Sequence, residues 1–252
     1  METYNDELKI YRGDDFVISD GISEDIVIHQ PTLNEICTYG EHEYYSMIYQ
    51  LTATPQTMKW QLWDVMSIDY TKITPYQLFC GILHNIYSQK QTSILFGDLD
   101  LPNYEIGEDE KGEKILYQKI DNEYSFINED RYNKIADYIR KAHGIVKDEK
   151  IPANESTKMI LIEDARDEFI ISQGKEWHSN LMNMVSAMVN SPGFKYGHYD
   201  VWDMKINAFI DSVKRISKIK NADILLQSGY SGFGINLKDI GNKQLDWLGK
   251  LE

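Results

Sequence analysis

Hydrophobic positions change their spacing along this chain, and each change predicts a different kind of element. Near the N-terminus they come in short runs, Leu8–Tyr11, Phe16–Ser19 and Asp25–His29, separated by Arg12-Gly13-Asp14-Asp15 and by the turn at Asp20-Gly21. Short runs bounded by turn residues read as strands, so a small antiparallel sheet is expected, with its first hairpin turning at Gly13. From Leu33 onward the spacing lengthens. Thr32 and Glu35 stand three apart, a capping box that starts a helix ending at Gly40. Tyr44, Met47, Ile48 and Leu51 recur at i, i+3, i+4 and i+7, one face of a helix from Glu41 to about Thr52. Thr54-Pro55 and Thr74-Pro75 place proline at a first helical position. The helix after Thr54 is expected to bury Met58, Leu62 and Trp63, and the one after Thr74 to bury Leu78, Phe79, Ile82, Leu83 and Ile86.

From Thr92 to Asn128 short runs return: Ser93–Phe96, Tyr104–Ile106, Lys114–Lys119 and Ser125–Ile127, around the acidic turn Glu108–Gly112. Asn128 then caps a helix closed by Gly144. Beyond Ile151 the pattern is helical, with Asn154 or Ser156 capping a helix to Ser172 and a second helix over Glu176–Asn190. A long one, Trp202–Gln227, carries Trp202, Ile206, Phe209, Val213, Ile216 and Leu226 as its apolar stripe. A Gly-rich turn, Gly229–Gly234, precedes a terminal helix near Asn242–Leu248. The fold class is therefore α+β, predominantly helical, with a small N-terminal antiparallel sheet and a short β-rich middle segment. Three regions follow, 1–92, 93–150 and 151–252, or one continuous domain.

Composition narrows the classes. With 252 residues, 42% hydrophobic and 26% charged, the chain can build a sizeable core and is not a disordered polyelectrolyte. Its net charge of −14 disfavours nucleic acid and anionic membrane as partners. No apolar run reaches the roughly 18 residues needed to span a bilayer, and Met1–Glu7 is too polar for a signal peptide. The charge is uneven. Asp98–Asp130 holds eleven acidic residues against three lysines, and Lys195–Lys220 holds six basic residues against three acidic ones. Cys37 and Cys80 are too few for a disulfide framework and read as buried, unpaired thiols.

Candidate chemistry is sparse. Gly229-Tyr230-Ser231-Gly232-Phe233-Gly234 lacks the Lys-Ser/Thr of a phosphate loop and, with Phe233, the spacing of a nucleophile elbow. Asp98-Leu99-Asp100 offers two carboxylates where a hard cation wants about six oxygens. None of His29, His42, His84, His143, His178 and His198 has metal-ligand spacing to another. No metal, nucleotide or other cofactor is expected, and no enzyme activity. Two features suit protein contacts. One is the run Leu181–Met188, in which Met182, Met184 and Met188 offer an adaptable apolar surface, although Leu181, Met184, Val185 and Met188 also fit an ordinary core face. The other is the basic patch Lys214, Arg215, Lys218 and Lys220 on the long helix. It is expected to lie outward and to meet an acidic protein surface, or the acidic 98–130 segment of a second copy.

Three stretches carry a resemblance: Gln30–Tyr45, Ile151–Lys158, and Phe209–Lys220 running into Ser228–Gly232. Together they resemble proteins encoded in the structural modules of siphophages and prophages of Gram-positive bacteria, and Pro31–Tyr45 is similar to the opening of tail assembly chaperones. The resemblance implies a non-enzymatic role in the cytoplasm of the bacterial host. The expected task is to hold a tape-measure protein or tail tube subunits during tail assembly, with self-association as a further expectation. A head–tail connector or minor tail protein is the alternative, and an enzyme whose site is assembled from distant acids is a second one.

Overall fold

A computed structural model describes residues 4–21, 23–120, 123–230, 234 and 240–251. The first element is a helix, α1 (Tyr4–Arg12), where a strand over Leu8–Tyr11 is expected from the sequence. Four residues are too few to separate the two periods, and tertiary contacts decide. Ile10 is buried, and its carbonyl accepts from the side-chain amides of Gln30 (2.9 Å) and Asn207 (3.0 Å), which finish the helix from outside. Gly13, at φ +79°, turns the chain toward β1 (Phe16–Ile18). That strand pairs antiparallel with β2 (Ile26–Ile28), Phe16 opposite Ile28.

The capping box at Thr32 and Glu35 opens α2 (Leu33–Tyr39), and α3 (Glu41–Leu51) follows directly after Gly40. Tyr44, Met47, Ile48 and Leu51 are buried as the spacing predicts. Thr54-Pro55 makes a hydrogen-bonded turn instead of a helix start, its hydroxyl and backbone exchanging bonds with Thr57. The helix comes later and contains a π-turn, Gln61–Val65. Leu62 is buried there, and Met58 and Trp63 are partly so. Thr74 with Gln77 caps α4 (Pro75–Leu78), which passes into a second π-turn, Phe79–Leu83. Leu78, Phe79 and Leu83 are buried and Ile82 partly so, but Ile86 lies past the turn and is exposed.

Ser93–Phe96 is the last turn of a helix, α5 (Gln89–Phe96), where a strand is expected. Its start signal, Ser88 with Gln91, is a capping box already present in the sequence. The runs expected as strands at Tyr104–Ile106, Lys114–Lys119 and Ser125–Ile127 fall in β3 (Glu105–Glu108), β4 (Lys114–Ile120) and β5 (Glu123–Ile127), which form an antiparallel meander in that order. Asn128 caps α6 (Glu129–His143), and Gly144 ends it in the left-handed region.

Asn154 caps α7 (Glu155–Gln173). The next helix, α8 (Asn180–Val189), starts at the Ser179 cap and not at Glu176. Trp202 sits in a 3-10 turn, Asp200–Asp203, ahead of α9 (Ile206–Tyr230). The start of α9 is set by Pro31 and Leu33, whose backbones bond Ile206 and Met204. Within α9, Ile206, Phe209 and Ala222 are buried, while Val213, Ile216 and Leu226 are half-buried. Gly229 and Tyr230 close this helix; Ser231, Gly232 and Phe233 of the expected Gly-rich turn lie outside the described residues. The terminal helix, α10 (Asn242–Leu245), is a single turn. The result is a predominantly helical α+β fold with, among the described residues, one two-stranded and one three-stranded antiparallel sheet. One hydrophobic cluster runs from Ile10 through Leu116, Ile127 and Ile162 to Phe209.

At the centre, Arg131 of α6 is almost fully buried and ties both sheets together. Its guanidinium donates to the carbonyls of Ile18 (3.1 Å), Glu24 (2.6 Å) and Phe126 (2.7 Å) and to the Ser23 hydroxyl (2.9 Å). Asp20 supplies the nearest carboxylate at 3.6 Å.

Candidate partner-binding surface

The first residue of α3 anchors the C-terminal region. One carboxylate oxygen of Glu41 accepts the Ser179 hydroxyl at 2.5 Å, and the other accepts the backbone N–H of Leu181 at 2.9 Å. An anion therefore sits on the positive end of α8, whose own cap, Ser179, accepts from Met182 at 2.8 Å. This contact holds α8 beside α3 and leaves a groove of about 690 Å3 between them. Tyr45 and Tyr49 line it from α3, Trp177 from the segment before α8, Asn180, Asn183, Met184 and Ala187 from α8, and Ile210 from α9. Trp177 is 53% exposed and Tyr49 58%, and His42 meets the indole edge-on at 5.6 Å between centroids.

Beneath the groove, Tyr44 and His143 are 2.6 Å apart, hydroxyl to Nε2. Nδ1 of His143 lies 2.7 Å from the Ile139 carbonyl, which can only accept. The neutral ring therefore carries its proton on Nδ1, and Tyr44 donates to Nε2. Burial pushes His143 down to about 4 against the stabilising carbonyl bond. Burial first, and then neighbouring phenols and Glu35, push Tyr44 upward; burial first, and then Glu41, do the same to Tyr45. Both ring nitrogens of His143 and both oxygens of Glu41 are engaged in holding the structure. What the groove presents is an aromatic and thioether surface with an amide rim.

The residues singled out from the sequence do not converge on one site. Met184 lines the groove, Met182 is exposed, and Met188 is buried in the core with Leu181 and Val185. The basic patch is not bare. Arg215 donates to the carbonyls of Trp247 and Gly249, and Lys218 to those of Gly249 (3.2 Å) and Lys250 (3.0 Å). Backbone carbonyls outside a helix or sheet need donors, and the patch supplies them to the chain's own C-terminal strap, residues 246–251. Lys220 bonds the Ser191 hydroxyl at 2.9 Å. Lys214 lies at a second cavity, between α1, the end of α6 and α9, and Ile210 lines both this cavity and the groove.

The groove aromatics are absent from the sequence-based expectations, yet a signal exists. His42, Tyr45 and Tyr49 recur at i, i+3 and i+7, a second stripe on α3 beside the core stripe. Cys37 is exposed where burial is expected, on the outer side of a seven-residue helix, and Cys80 is buried; both are free. Asp98 and Asp100 border a cavity with Glu24, Asp25 and His29, but among the described residues no three His, Cys, Asp or Glu side chains are grouped to hold a metal ion. Among the same residues no helix is long and apolar enough to cross a membrane.

Residues 172–252 match a family model described as the YomV second domain, YomV being a protein of Bacillus phages and prophages. The match supports a phage association for the chain. No curated protein and no solved structure matches it. The matched stretch starts in the last turn of α7 and contains Trp177, α8, the basic patch and the strap. It holds ten Lys or Arg against eight Asp or Glu, whereas residues 1–171 hold sixteen against thirty-two. The matched region is therefore slightly basic in an otherwise acidic chain.

Proposed function

We propose that this chain is a non-enzymatic phage morphogenesis protein that assists tail assembly in the host cytoplasm. It does so by holding an apolar helical segment of a structural subunit, a tape-measure or tail tube protein, in the groove between α3 and α8. The observation that carries this reading is a preformed groove lined by the exposed side chains of Tyr49 and Trp177, with Met184 in its wall. Rigid aromatic side chains are the residues that most often dominate binding energy, and a thioether adapts to varied apolar shapes. An amphipathic helix laid into such a groove buries its stripe without needing a specific polar code. The chain's net charge of −14 suits a protein that must keep an apolar cargo in solution.

The test is titration calorimetry with synthetic peptides tiling a tape-measure protein and a tail tube protein of a Bacillus siphophage. An apolar helical peptide is expected to bind. Trp177→Ala with Tyr49→Ser is expected to weaken it at least about tenfold while leaving the melting temperature within a few degrees. Binding of no peptide, or binding indifferent to both substitutions, overturns the reading. Mass spectrometry of purified particles separates an assembly factor, which is absent from them, from a connector or minor tail protein, which stays.

A further inference from the structure

The C-terminal strap is held in an unusual way. Its backbone is clamped by two cations, Arg215 and Lys218, through the carbonyls of residues 247, 249 and 250. Its side chains do little to fasten it. Trp247 is half-exposed and Leu248 is 73% exposed. Between strap and helix lies a cavity of about 720 Å3, lined by Lys214, Lys218, Lys243 and Lys250, with Asp246 the one carboxylate among its lining residues. A segment with few buried apolar contacts opens at low cost. On α9 the strap covers Arg215 and Lys218, whose acceptors in the strap are neutral carbonyls, while Lys250 of the strap itself lies 4.0 Å from the Glu7 carboxylate.

A better set of acceptors exists on the same chain. The turn between β3 and β4 projects Glu108, Glu110 and Glu113 into solvent. Asp109 holds the turn from within, accepting the backbone N–H of Lys111 and Glu113 at 2.8 Å each. The three glutamates are thus presented on a fixed, narrow tip. Hydrogen bonds from a cation to a carboxylate are roughly twice as strong as those to a neutral carbonyl. We propose that the cation-lined cavity under the strap is the docking site for the acidic β3–β4 tip of a second copy, and that the strap is its displaceable cover. Tip and cavity are different surfaces, so the contact runs head to tail and leaves one of each free for the next copy. It involves neither Tyr49 nor Trp177, and it stands or falls separately from the groove.

Sedimentation velocity at about 50 mM and about 500 mM salt tests this, since charged contacts at a surface are screened over that range. The full chain is expected to associate at low salt and to come apart at high salt. Glu108→Gln, Glu110→Gln and Glu113→Gln together should weaken association at least about tenfold. Ending the chain after Leu245 should strengthen it by a similar factor, with circular dichroism and the melting curve confirming that the shortened chain is folded. In the full chain, the fluorescence difference between wild type and Trp247→Phe should shift on association as the strap lifts, a readout that does not depend on the shortened chain. A chain that stays monomeric at low salt, a tip variant that associates like wild type, or a Trp247 signal unchanged by association overturns the proposal. Tight binding of single-stranded DNA by the shortened chain with no tip-dependent self-association also overturns it, in favour of a nucleic-acid surface.

Discussion

The Tyr44 hydroxyl and the His143 ring lie 2.6 Å apart, and together they join α3 to the last turn of α6 under the groove. The pair is buried, and its protons are placed by the carbonyl of Ile139, which fixes the tautomer. The groove therefore stands on a floor whose protonation state belongs to the folded chain.

That floor gives stability a defined pH dependence. Burial lowers His143 from 6.5 to about 4, so the unfolded chain takes up its proton at higher pH than the folded one. The contribution is complete above pH 6.5 and is lost as pH falls through the window from 6.5 to about 4, to a total on the order of 3 kcal/mol. Urea unfolding at steps across that window should show the loss in wild type and a flatter profile in His143→Gln. Parallel profiles in the two proteins would falsify the assignment.

Arg131 predicts the largest single effect on stability. Replacing it with Met leaves the Ile18, Glu24 and Phe126 carbonyls without their shared donor, at a cost of roughly 3–5 kcal/mol. Lysine has no planar fork and should recover less than half of the loss. Equal midpoints for wild type and Arg131→Lys in chemical denaturation would show that the fork geometry is unimportant.

Glu41 predicts a local effect. Glu41→Ala removes the acceptor for Ser179 and for the N–H of Leu181, and should cost about 1–2 kcal/mol. Hydrogen exchange should rise in the first turn of α8 and not in the β3–β5 meander. Uniform acceleration throughout the chain would mean that the contact is not a cap but part of the global core.

Lys214→Glu with Arg215→Glu should keep the melting temperature within a few degrees, because the strap buries little apolar surface. The emission of Trp247 should nevertheless change, since Arg215 no longer holds its carbonyl. A loss of many degrees would show that the strap is integral to the fold.

Much of the architecture is legible in the sequence wherever the signal is local. Thr32 with Glu35, Thr74 before Pro75, Asn128, Asn154 and Gly144 mark helix ends where the structure places them. Ser93–Phe96 and Thr54-Pro55 are misread although their signals, Ser88 with Gln91 and the bonds to Thr57, are local; elsewhere a distant residue decides. Leu8–Tyr11 is helical because Gln30 and Asn207 cap it, and α8 begins at Ser179 because Glu41 faces it. The basic patch looks exterior by helical spacing, yet its partner is a strap some thirty residues later that carries no periodic signal at all. The groove was legible only in part: its α3 stripe can be read as His42, Tyr45 and Tyr49, but nothing local says that Trp177 stands opposite.

The bonds between Pro31–Leu33 and Met204–Ile206 have a consequence for how the chain comes into being. Leu33 N–H finds its acceptor on Met204, and the Pro31 carbonyl finds its donor on Ile206. A ribosome delivers the first of these partners long before the second. Until then, the Leu33 N–H at the entrance of α2 waits for its acceptor, and the loop to be closed runs from α2 to α9. Closure of this junction is thereby deferred until α9 has emerged, and α9 acts as the keystone set into a waiting arch.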